Sequence, residues 1–128
     1  MPPDTSGQQP ERSHRLDQLR VLGADHDDTL TTRNHIAAGT GETGEGERAI
    51  ELFQQLLRDQ LRVLGPDHPA ALTSRNNIAG LTGSTGHPHA ALELLHQLRP
   101  DRVRVLGPDH LDTRDTRHLN DLIRRNPR

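Results

Sequence analysis

Between residues 46 and 64 the apolar positions fall into two rows. Ile50, Phe53, Leu57, Leu61 and Leu64 recur at three- and four-residue steps, and Leu52, Leu56 and Val63 form a second row. This spacing is helical, and a helix apolar on two sides packs between two neighbours. Gly65 then offers a left-handed position, Pro66 bars further helix, and Asp67 or His68 can cap a new helix with Pro69 in its first turn. That next helix is predicted over 69–82, with Leu72, Ile78 and Ala79 as its apolar residues and Gly83 and Gly86 as its stop. The same spacing predicts helices over 28–40 (Leu30, Ile36 and Ala37, stopped by Gly41 and Gly44), 88–106 and 111–124. A half-length helix is expected at 11–22, after a disordered tail at 1–10.

These elements repeat. RVLGPDH occurs at 62–68 and at 104–110, with a near copy, RVLGADH, at 20–26. Val21, Val63 and Val105 open the three copies at a constant period of 42. DTLTTRNHIAAGTGETG (28–44) aligns without a gap on AALTSRNNIAGLTGSTG (70–86), and ERAIELFQQLLRDQLRVLG (47–65) aligns on HAALELLHQLRPDRVRVLG (89–107). A third copy, DTRDTRHLNDLIRR, occupies 112–125. A period of this length is that of a solenoid, each unit being one pair of helices. The fold class is therefore all-α, an α-solenoid of antiparallel helix pairs with about five full helices and a partial N-terminal one. The repeat domain is placed at 11–128: a partial unit at 11–26, units at 27–68 and 69–110, and a truncated unit at 111–128.

Composition narrows the chemistry. The formal charge is −2, which gives no electrostatic ground for nucleic-acid or anionic-membrane binding. Every basic residue other than histidine is arginine, so lysine chemistry is excluded. Without cysteine there are no disulfides, zinc–thiolate sites or thiol nucleophiles. The sequence lacks a membrane-length apolar run, and MPPDTSGQQPERS lacks the apolar core of a secretory leader, so a cytoplasmic location is expected. Apolar residues make up only 30%, with one Phe and neither Trp nor Tyr, so leucine must fill the core and stability should be marginal.

Several motifs look chemical in isolation. Gly39-Thr-Gly41-Glu-Thr-Gly44 satisfies GxGxxG, but it follows a helix, and its second copy at 80–86 breaks the pattern, so it reads as a turn. Equivalent positions in stacked repeats lie roughly 10 Å apart. The Asp-His pairs are then too far apart to share one ion and read as helix starts. His87 and His89 read as a turn residue and an exposed helix residue. No serine, histidine and acid set suggests a nucleophile. Enzymatic activity, cofactor and metal are not expected.

Ile36 with Ala37, Gly44, Ala49 and Phe53, and again Ile78 with Ala79, Gly86, Ala91 and Leu95, resemble the tetratricopeptide repeat family in its 42-residue, kinesin-light-chain-like form. LGPDHPAALTSRNNIA (64–79) is similar to arrays common in actinobacterial proteins, where such arrays often follow a signalling ATPase module. The resemblance implies a right-handed superhelix whose first helices line a groove that binds a peptide segment of a partner protein. It places Asn34, Asn76 and, in the third copy, His118 where family members touch the bound backbone. Thr31 and Thr73 lie one turn earlier on the same helix face.

The sequence also departs from the family. Thr40 and Thr82 stand where a Tyr is usual, which should weaken the junction between the helices of a unit. Pro100 falls inside a predicted helix, at roughly 3 kcal/mol or a kink. Asn120 takes the Ile position of the third copy, which suits an end cap. Arg33, Arg75 and Arg117 replace a large apolar residue. Each could lay its stem on the core and pair with a nearby Asp, or the three could form a guanidinium ladder gripping an acidic peptide. The candidate groove is thus Thr31, Arg33, Asn34, Thr73, Arg75, Asn76, Arg117 and His118. Two functions follow: a non-catalytic protein–protein interaction scaffold, or a structural or sensor segment of a larger array, such as one attached to a signalling ATPase.

Overall fold

The computed structural model describes residues 27–125. The tail at 1–10, the half-length helix at 11–22 and the partial unit at 11–26 lie outside the described residues. Five helices follow one another: α1 (Asp27–Glu42), α2 (Gly46–Val63), α3 (Pro69–Ser84), α4 (Pro88–Leu106) and α5 (Leu111–Arg125). Each packs on its neighbour in the chain, and the first helices of successive units, α1 with α3 and α3 with α5, also touch. The architecture is the all-α helical repeat that the sequence period demands. Among the described residues no helix is long and apolar enough to cross a membrane.

Two cores recur one unit apart. Leu30, Ala37, Phe53, Leu56 and Ile78 form the first, and Leu72, Ala79, Ala91, Leu95, Leu98 and Ile123 the second. In α2 the buried row is Ala49, Phe53, Leu56 and Gln60, whereas Leu61 and Val63 are each 40% exposed. The apolar stripes expected in the sequence are thus corrected by a polar residue. Gln60 is buried because the Ser74 hydroxyl, on the helix packed against it, donates to its side-chain carbonyl oxygen at 2.7 Å.

The stops also differ from expectation. α1 runs through Gly41 and α3 through Gly83, so these glycines do not end their helices. They let the next first helix approach. A β-carbon on Gly41 would lie 3.1 Å from Leu81, and one on Gly83 would lie 3.1 Å from Ile123. Chain reversal falls instead to Gly44, Gly65, Gly86 and Gly107, with φ between 91° and 96°. Pro100 leaves α4 unbroken. Pro100 and His96 are both exposed, so the carbonyl it deprives of a donor is open to water.

Candidate functional site

The copies of RVLGPDH at 62–68 and 104–110 define the site's frame. His68 is the N-cap of α3, and its Nδ1 accepts the Ala70 amide at 3.0 Å. His110 repeats the bond to the Asp112 amide at 3.0 Å. The histidine of the dipeptide is thus the cap, with the ring nitrogen standing in for the usual hydroxyl or carboxylate. The aspartate has a different task. Asp67 receives both terminal nitrogens of Arg104, at 2.8 and 2.9 Å.

Arg104 also reaches Asp101 at 3.2 Å, and Asp101 receives Arg75 at 2.7 Å. One unit therefore carries a continuous chain of charge: Asp67, Arg104, Asp101, Arg75. In the unit before it, Asp59 receives Arg33 at 2.6 Å and Arg62 at 3.2 Å. The hydrogen bond from Arg33 holds the Asp59 carboxyl below the usual range, and that from Arg75 does the same for Asp101. Asp67 is lowered in the same way by Arg104. Each of these two repeated arginines thus pins the first helix of its unit to the second. Sequence reasoning singles out the arginines but not Asp59 and Asp101, although each lies 26 residues beyond its arginine in both units.

The remaining candidates divide among three places. Thr31, Asn34 and Thr73 share a depression of about 370 Å³ with Leu30, Gln60 and His68. Asn76 lines a second, of about 350 Å³, between the first helices. It has Asn77 beside it and Ala38, Gly41, Leu81 and Leu119 as apolar lining. Arg117 and His118 lie apart, on the outer face of α5 with Leu111, Arg114, Asp115 and Asp121. Arg33 and Arg75 join neither depression between the first helices. Arg75 instead borders a small hollow with Leu57, Ile78, Leu94 and Gln97.

Asn76 accepts the Thr116 hydroxyl at 3.1 Å and so ties α3 to α5. Among the described residues, the side chains of Asn34 and Asn77 make no hydrogen bond. Asn77 escapes the sequence pattern because it lacks a counterpart in the first unit, where His35 stands.

One buried cation lies behind this face. Arg102 is 3% exposed and donates to the Asp112 carbonyl and the Thr116 hydroxyl, both at 2.7 Å. Its Nε is buried without an acceptor. Burial lowers its pKa, opposed in part by Asp112 and Asp115 acting through space.

A tetratricopeptide repeat family profile matches residues 28–102. No curated protein sequence matches the chain. Among solved structures, kinesin light chain TPR-like repeats from Podosopora anserina superpose with a TM-score of 0.76 at 23% identity, over 88% of this chain and 53% of theirs. A single-substitution variant of those repeats gives 0.70 at 23% identity, over 89% and 54%. This chain spans about half the length of these structures.

Proposed function

The chain belongs to the tetratricopeptide repeat family, whose repeats are in general modules that bind other proteins, and on that footing we propose that it holds a peptide segment of a partner along its first helices. One observation carries this reading. Among the described residues the amides of Asn34 and Asn77 have no internal partner; Asn34 stands beside Leu30 and Leu64 in one depression, and Asn77 beside Ala38, Leu81 and Leu119 in the other. A free amide can donate to and accept from an extended backbone at once, and the lining can take apolar side chains. Thr31 and Thr73 add hydroxyls at one end.

The groove proposed here is narrower than the sequence set. Arg33 and Arg75 already hold carboxylates of their own unit, so the ligand favoured is an uncharged, partly apolar segment rather than an acidic one. Selection from a random peptide library on the immobilised chain tests it. Enriched peptides should lose at least about tenfold in affinity, about 1.4 kcal/mol, on the double substitution Asn34→Ala/Asn77→Ala and on Leu81→Glu. Arg33→Ala should leave them bound. Failure to enrich any sequence, or binding indifferent to all three variants, overturns the proposal.

A further inference from the structure

In the second unit a face of the first helix is covered by the second helix, and the cover is locked by charge. Arg104 of α4 grips Asp67 ahead of α3, and Asp101 of α4 grips Arg75 on α3. The third copy repeats the receiving half: Asp109 stands at the Asp67 position and Arg117 at the Arg75 position. Both are exposed, and among the described residues neither has an ion-pair partner, nor does any helix cover that face of α5. The donating half also exists elsewhere in the chain. Asp101 and Arg104 correspond to Asp59 and Arg62 one period earlier, and to Asp17 and Arg20 one period before that.

The geometry points to end-to-end self-association: residues 11–22 of one copy lie across α5 of a second copy, with Asp17 on Arg117 and Arg20 on Asp109. One further exchange supports a second copy as the occupant, and another makes the face polar. Leu72 and Leu95 share one core in the second unit. At the equivalent positions the chain has Arg114, on the exposed face of α5, and Glu11, so an apolar contact is replaced by opposite charges. Ala79 is likewise replaced by Asp121, which lines the same depression of about 420 Å³ as Arg114 and Arg117. A general apolar partner would find this face polar, whereas Glu11, Asp17 and Arg20 supply the charges opposite to Arg114, Arg117 and Asp109. The contact joins two different patches, so it is heterologous and extends into chains of copies rather than closing on a pair. Its charges are exposed, so it is weak and sensitive to salt.

The full chain tests this by sedimentation across micromolar to millimolar concentration at low and high salt. The weight-average mass should rise with concentration at low salt and fall back towards one chain at high salt. Asp17→Arg alone and Arg117→Asp alone should each remain at one chain, since each sets like charges opposite one another. An equal mixture of the two should associate again, because both junctions in the mixture are then of opposite charge. Helical circular dichroism of each variant, with the neutral Arg117→Gln as a milder substitution expected to weaken association, confirms that the variants are folded. A wild-type chain that stays single throughout, a single variant that associates as wild type does, or a mixture that stays single, overturns the proposal.

Discussion

Replacing Arg102 by glutamine is expected to stabilise the chain. The guanidinium is buried at 3% exposure, donates to no carboxylate among the described residues, and has an Nε without an acceptor. The preceding unit solves the same position with Gln60, 2% exposed, which accepts the Ser74 hydroxyl at 2.7 Å. Relieving the unpartnered donor gains about 1–3 kcal/mol, and exchanging two charge-assisted bonds for one neutral bond loses about 2–5 kcal/mol. The desolvation penalty of a buried ion, on the order of several kcal/mol, is lifted at the same time and decides the sign. The net expectation is a gain of about 1 kcal/mol, or about 4 °C in Tm for a domain of this size.

The sign of the pH dependence is fixed by the lowered pKa of Arg102. A cation whose folded pKa lies below its unfolded value penalises folding at every pH below the folded one. The gain from Arg102→Gln should therefore be equal from about pH 5 to about pH 9, since arginine stays charged throughout that range. Urea unfolding followed by helical circular dichroism measures it. Arg102→Ala separates charge from packing: it leaves the Thr116 hydroxyl facing a cavity and should lose about 2 kcal/mol. A loss of about 1 kcal/mol or more in Arg102→Gln, or a gain confined to one end of the pH range, refutes the reasoning.

Three further outcomes are expected. Gly83→Val should destabilise by about 1–3 kcal/mol through contact with Ile123, and Ile123→Ala should absorb much of that cost, so additive losses in a double-mutant cycle would sink the close-approach account. His68→Ala should cost about 1 kcal/mol in thermal unfolding and His68→Ser should recover most of it, whereas equal stability of all three chains would remove the cap from the argument. Asp59→Asn/Asp101→Asn should flatten the acid limb of the pH–stability curve. Carboxylates held below their unfolded pKa of about 3.9 stabilise above it and lose that contribution as pH falls through the folded value, so an unchanged acid limb would contradict the pairing.

How far the sequence can be read depends on the range of each interaction. The start of α3 is legible in the RVLGPDH string because a glycine, a proline and a cap act within a few residues. The core leucines are legible because hydropathy at helical spacing reports one helix at a time. Gln60 is not, since its burial depends on a hydroxyl 14 residues away on another helix. Gly41 and Gly83 look like stops because glycine usually is one near a helix end, and only the approach of Leu81 and Ile123 gives them another role. Of the candidate site, Thr31, Asn34 and Thr73 do share one depression. For Arg33 and Arg75 the sequence leaves pairing with an Asp and a guanidinium ladder both open, because the aspartates that decide lie 26 residues on, on the other helix of the unit, beyond the reach of any local pattern.

The left-handed glycines Gly44, Gly65, Gly86 and Gly107 are evenly spaced at half the period of the sequence. The turn inside a unit and the turn between units are therefore the same at the point where the chain reverses. A duplication or loss of one whole period rejoins the chain at an equivalent glycine wherever in the unit the break falls. Each junction remains a helix, a reversal and a helix in phase. Copy number can thus change by recombination without passing through a chain whose helices face the wrong way. A one-residue slip inside a helix, by contrast, turns the part of that helix beyond it by about 100° against its neighbour.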